Sequence, residues 1–184
     1  MMGTTELALA ITKASKLRGE FRLRSGAVTT EYFDKYRFEA DPSLLRAIVE
    51  RLVALVPSTT DALAGLELGG VPLATALSLR TGLPAIFVRK RPKEYGTCRI
   101  AEGGDIAGRR LLVVEDVVTS GGQVLASCDD LRRLGATVDH AICVIDRQAG
   151  AVEALRAARV ELRALLLKSD LERAEATVSN REDR

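Results

Sequence analysis

The chain has 184 residues, with 27 basic and 25 acidic side chains (a formal charge of +2), and is 47% hydrophobic and 28% charged. That composition is that of one ordinary globular domain, with a core large enough to stand alone. The near-balanced charge makes no demand for nucleic acid or an anionic membrane, and no run of about 18 apolar residues exists to span a bilayer. Cys98, Cys128 and Cys143 are odd in number and widely spaced, which argues against a disulfide framework or a zinc site and fits a reducing cytoplasm. The opening MMGTTELALAITKAS includes Glu6 and lacks a basic start and a long apolar run, so it does not read as a signal peptide. A single histidine, His140, excludes paired His ligands and reads as structural at the opening of a strand.

Helical spacing of Leu7, Ile11, Ala14 and Leu17 predicts a helix over 4–18, ended by Gly19. Phe21–Arg24 alternates as a strand, Ser25-Gly26 is a turn, and Tyr32-Phe33 lies in a second short strand. Asp41-Pro42 caps a helix whose apolar stripe is Leu44, Leu45, Ile48, Leu52 and Leu55. From residue 64 the rhythm alternates. Strands are predicted at 66–68, 85–88, 111–114, 138–145 and 162–167, and helices at 71–80, 122–134 and 150–158. Residues 89–108 show no apolar period, and the tail from 169 is polar and predicted to fray at its end. Apolar strands separated by helices imply an α/β fold with a parallel sheet covered on both faces. We read one domain over 1–184: a helix-and-hairpin hood (1–41), a core (42–168) and a polar tail (169–184).

Ligands of such a sheet bind beyond the carboxyl ends of its strands, and four segments there carry candidate chemistry. Glu115-Asp116-Val117-Val118-Thr119-Ser120-Gly121-Gly122-Gln123 follows the strand LLVV. Its carboxylates can accept from a sugar diol, and its glycines bring backbone N–H groups to a phosphate at a helix N-terminus. The Gly-Lys-[Ser/Thr] ending of a P-loop is absent. An ordinary capped turn is the plainer reading, against which the adjacent acids weigh, because paired carboxylates repel unless something binds them. Arg89-Lys90-Arg91-Pro92-Lys93 puts four cations in five residues, either a polyphosphate lid or a solvated loop; with no other basic stripe, a nucleic-acid patch is disfavoured. Glu67-Leu68-Gly69-Gly70 offers a second anion cradle. Asp146-Arg147-Gln148 offers an arginine that grips a planar carboxylate, or else a surface ion pair.

Together these segments resemble type I phosphoribosyltransferases. EDVVTSGGQ is similar to that family's phosphoribosyl diphosphate (PRPP) signature. FRLRSG, RKRPKEYG followed by EGG, and IDRQAG narrow the resemblance, over roughly 17–167, to the orotate phosphoribosyltransferases. The resemblance implies the type I phosphoribosyltransferase fold with a flexible catalytic loop. It implies transfer of phosphoribose from PRPP to orotate, giving orotidine 5′-monophosphate and diphosphate in pyrimidine biosynthesis, with Mg2+ entering on PRPP and no direct protein ligand to the metal. By the family pattern Glu115 and Asp116 bind the ribose diol, and Val117 to Gln123, Val118 included, complete the PRPP loop. Thr119, Ser120, Gly121 and Gly122 hold the 5′-phosphate. Arg89, Lys90 and the catalytic Lys93 hold diphosphate, joined by Tyr95 and by the turn Leu68, Gly69, Gly70. Thr119, Arg147, Arg24, Tyr32 and Phe33 face orotate. The resemblance further implies a homodimer in which Lys93 crosses to the neighbouring subunit, and no nucleic-acid or membrane partner. Two positions depart from the pattern: Tyr95 stands where the family has a histidine, and Gly69 where it often has a lysine. A phosphoribosyltransferase for another base, or a non-catalytic PRPP sensor on the same fold, are the alternatives.

Overall fold

A computed structural model describes residues 2–22, 26–92 and 99–182, the side chains of 179–182 excepted. Helix α1 (Thr4–Ser15) leads directly into strand β1 (Lys16–Arg22), which pairs antiparallel with β2 (Val28–Phe33). The predicted helix is therefore three residues too long. Leu17 pairs with Tyr32, and Gly19 lies inside the strand, because cross-strand pairing outweighs helical spacing there. Of the first predicted strand, Phe21–Arg24, Leu23 and Arg24 lie outside the described residues.

A five-residue helix, α2 (Tyr36–Ala40), was not legible in the sequence; it buries Phe38 completely. Helix α3 (Pro42–Leu52) begins as predicted. Asp41 Oδ1 accepts from Ser43 N at 2.8 Å and Leu44 N at 3.0 Å, with proline at the first turn. Such a cap contributes about 1 kcal/mol. Leu44, Ile48 and Leu52 are buried and Leu45 half-buried, as the stripe requires.

The core alternates strand and helix: β3 (Ala62–Leu66), α4 (Gly70–Thr81), β4 (Ala85–Val88), β5 (Ala101–Glu102), β6 (Arg110–Val118), α5 (Gly122–Arg133), β7 (Thr137–Asp146), α6 (Ala151–Ala157), β8 (Glu161–Leu167) and α7 (Lys168–Glu182). The sheet order is β5-β4-β3-β6-β7-β8, parallel except for the antiparallel edge strand β5. Along β6, Leu111 and Val113 face one apolar cluster, with α5 and α6, while Leu112 and Val114 face the other, with α3, α4 and the N-terminal helices. Both faces are thus buried, and this is why the strand reads as an unbroken apolar run.

Three predicted elements are corrected. β3 lies four residues earlier than expected, because its small residues mask it. Their size is imposed by α4: a Cβ on Gly65 would fall 2.5 Å from the Gly70 carbonyl oxygen. The stretch 89–108 contains β5, which returns to pair with β4. The polar tail folds as α7 and packs on α1, burying Leu171 and Ala174. His140 is the fourth residue of β7, its Nε2 3.5 Å from Glu161, a structural position.

From β3 the chain moves to β4 on one side, then crosses back to β6 on the other. The strand order reverses between β3 and β6. A crevice opens there at their carboxyl ends.

Candidate active site

Two turns meet in that crevice. After β3, the Glu67–Leu68 peptide is cis, and Gly69 and Gly70 lead into α4. Against them lies the end of β6. This strand runs four residues beyond LLVV, so Glu115 and Asp116 are within it rather than after it. Both are buried, Asp116 completely. The turn has no room for side chains: a Cβ on Gly69 would fall 1.7 Å from Asp116 Oδ2 and 2.7 Å from Glu39 Oε1, and one on Gly70 would fall 2.2 Å from the Val114 carbonyl oxygen.

Buried carboxylates must be neutralised or paired. Here both happen. Lys35, in the turn between β2 and α2, places Nζ 2.9 Å from Asp116 Oδ1 and 2.7 Å from Oδ2. Burial works against the Lys35 charge, but its hydrogen bond to Asp116 and the charges of Asp116 and its neighbours together outweigh this and raise its pKa. Burial, then hydrogen bonding to Asp116, pushes Glu39 up to about 9 and Glu115 likewise to about 9. Burial opposes ionisation of Asp116 as well, yet hydrogen bonds with Glu115, Glu39 and Lys35 hold it below the usual carboxylate range. Near neutral pH the cluster is therefore one carboxylate, two carboxylic acids and one ammonium. Glu39 Oε1 is buried with no hydrogen-bond partner among the described residues, which fits a carboxylic acid beside Asp116 rather than a second carboxylate. Lys35 and Glu39 escaped the sequence reading. Their signal was the i,i+4 spacing in DKYRFE immediately after the aromatic pair.

Next to the acids, Thr119, Ser120 and Gly121 lead into α5. Gly121 adopts φ +80°, the left-handed conformation that favours glycine, and no side chain caps the helix. Its first turn borders a hollow of about 170 Å³ lined by Glu115, Val117 to Gln123 and Val124. An uncapped helix N-terminus in a glycine turn is suited to a phosphate.

A third cleft, about 370 Å³, adjoins the acids. Tyr32, Phe33, Thr119 and Arg147, four of the five residues predicted to face the base, line it together with Lys35. Arg147 is held by its backbone N–H, which donates to the Val118 carbonyl at 2.8 Å, and its guanidinium lies 5.9 Å from the Phe33 ring centre. The adjacent Asp146 does not take up this guanidinium; it is buried and accepts from Gln148 N at 2.8 Å. Arg24, the fifth residue, and Lys93 and Tyr95 of the basic loop lie outside the described residues, as does Cys98. Arg89 is half-buried, with its N–H donating to the Ile100 carbonyl at 2.8 Å, and Lys90 is exposed, with its N–H donating to Glu67 Oε2 at 3.0 Å. Among the described residues, no group of three or more His, Cys, Asp or Glu side chains could hold a metal ion, and no helix is long and apolar enough to cross a membrane.

This fold and crevice define a phosphoribosyl transferase domain, and that family matches residues 40–161. Among curated relatives, the orotate phosphoribosyltransferase of Nocardioides sp. is 51% identical over 168 residues, 91% of this chain and 94% of its own. That of Methanocella arvoryzae is 40% identical, covering 91% and 96%. The solved structure of Mycobacterium tuberculosis orotate phosphoribosyltransferase in complex with Fe(III) dicitrate matches with a TM-score of 0.82 and 32% identity, over 91% of this chain and 98% of that one. The same enzyme in complex with PRPP matches at 0.78 and 30%, over 92% and 98%. The chain belongs to the orotate phosphoribosyltransferase family.

Proposed function

We propose that the chain transfers phosphoribose from PRPP to orotate, releasing diphosphate, with the crevice between β3 and β6 as its centre. The observation that carries this reading is that three features adjoin one another at the end of β6: the buried acid cluster, the hollow at the α5 terminus and the aromatic cleft. The carboxylate cluster suits a ribose diol, the uncapped α5 terminus suits a 5′-phosphate, and the aromatic cleft with Arg147 suits a planar acid. An arginine–carboxylate pair gives two parallel charged hydrogen bonds, worth ~1.5–3 kcal/mol for a charged bond of this kind.

In this reading Glu115 and Asp116 take the ribose hydroxyls, and Thr119, Ser120, Gly121 and Gly122 take the 5′-phosphate, with Val117, Val118 and Gln123 completing the loop. Leu68, Gly69 and Gly70 border the diphosphate through backbone groups, with Arg89, Lys90, Lys93 and Tyr95 closing over it. Thr119, Arg147, Arg24, Tyr32 and Phe33 surround orotate. Displacement at the anomeric carbon passes through a ribose-centred cation. The side chains therefore need to position the leaving group, neutralise it and exclude water, and no histidine base is required. Mg2+ would be carried in on PRPP, with no direct protein ligand, and would supply charge neutralisation to the leaving diphosphate. The working form is a cytoplasmic homodimer with Lys93 serving the partner's site.

Mixing the protein with orotate, PRPP and Mg2+ and following orotate's ultraviolet absorbance tests the reading, with uracil and hypoxanthine alongside. Loss of absorbance with orotate alone is expected. Turnover of another base in preference, or of none, overturns it.

A further inference from the structure

We propose that Lys35 is a base-specificity residue: its ammonium rests on Asp116 in the ligand-free site and turns to the acid edge of orotate when the ribose hydroxyls take over that carboxylate. The inference rests on the function proposed above, because it needs orotate in the cleft beside Arg147.

Three observations point to it. First, Lys35 links the acid cluster to the base cleft. It grips both oxygens of Asp116 and also lines the aromatic cleft together with Arg147. Second, its hold on Asp116 is exchangeable. The side chain is 34% exposed, and a lysine has a flexible stem with three donors and no fixed fork. A ribose hydroxyl donating to Asp116 competes for the same lone pairs. Third, the cleft has charge to spare for an anion. Its Glu31 is already paired with Lys16 at 3.2 Å, so Arg147, beside the Phe33 ring, and Lys35 both line the cleft as cations. One cation is enough to grip a carboxylate in two bonds. A second, aimed from the ribose side, fixes which ring edge turns toward the anomeric carbon. A neutral base offers nothing to it, so its contribution is selective for an acidic base.

Steady-state kinetics of Lys35→Met, with orotate and PRPP varied separately, test the proposal. The KM for orotate is expected to rise at least ~10-fold, with the KM for PRPP within about threefold of wild type. If Lys35 were only the counter-ion of Asp116, the PRPP value would rise alone or with that of orotate, and this result overturns the proposal. Lys35→Gln keeps a hydrogen bond to Asp116 without the charge and gives the same readout should Lys35→Met fail to fold. Arg147→Ala separates this inference from the reading beneath it. An unchanged orotate KM in Arg147→Ala removes orotate from the cleft altogether. A raised one, with Lys35→Met unchanged, removes Lys35 alone.

Discussion

Glu39 is the residue with the clearest consequence for pH. It and Glu115 are raised to about 9 in the folded protein from an ordinary 4.5, so between those values the folded state holds protons that the unfolded chain has released. Stability from these two acids is full below about 4.5 and is lost as pH rises toward about 9. The stabilisation from Asp116 runs the other way and is lost only in acid, and that from Lys35 is lost only in strong alkali. Ligand-free protein should therefore melt at progressively lower temperature from about pH 6 to about pH 9. Glu39→Gln keeps the amide in place of the carboxylic acid and should flatten that slope; a Glu39→Gln curve parallel to wild type would remove the buried proton from the account. The sequence showed Glu115 and Asp116 because adjacent acids after an apolar strand are conspicuous. It hid Lys35 and Glu39 because a lysine and a glutamate in a polar stretch look like a solvated face until the chain folds them onto β6.

Among the elements, the two glycine turns are the most demanding. Gly69→Ala inserts a methyl into the space held by Asp116 Oδ2. The overpacking should cost ~1–3 kcal/mol in thermal stability. It should also weaken PRPP binding at least ~10-fold by moving the carboxylate, for a shift of ~1.4 kcal/mol. Retained PRPP affinity would show that the turn gives way without disturbing the acids. The same contact explains why Gly69, and not a lysine, occupies this position: no side chain fits between the turn and Asp116. Gly121→Ala forces a left-handed alanine, at ~1–3 kcal/mol, and should raise the PRPP requirement through the 5′-phosphate; the two effects are read from a melting curve and a PRPP titration. Strand β3 was misplaced in the sequence for a related reason. Ala62, Ala64 and Gly65 lack the β-branched bulk that announces a strand, because α4 and the Gly70 carbonyl press on them. β6 and β7, which bury branched residues on both faces, were legible to within a few residues.

On the scale of the molecule, the order of elements follows from alternation alone, whereas the hood does not. α7 looked like a frayed tail, because among its described side chains only Leu171 and Ala174 are buried in the core. Lys16 fixes it to the hairpin, with Nζ 3.0 Å from Glu175 and 3.2 Å from Glu31. The pairing of α7 with α1 and the hairpin places Tyr32, Phe33 and Lys35 over the carboxyl end of β6, so the base cleft exists only when both ends of the chain have folded. If the proposed homodimer shares Lys93 across its interface, mixing inactive Lys93→Ala with inactive Asp116→Asn should restore activity, since hybrid dimers regain one intact site. No recovery after subunit exchange would place both residues in one subunit's site. The central claim, that the acids at the strand-order reversal are the seat of PRPP, is tested most directly by titrating Mg2+·PRPP into wild type and folded Asp116→Asn. Saturable binding in the wild type, weakened at least ~10-fold by the substitution, is the predicted result; equal affinity in both proteins would contradict the account.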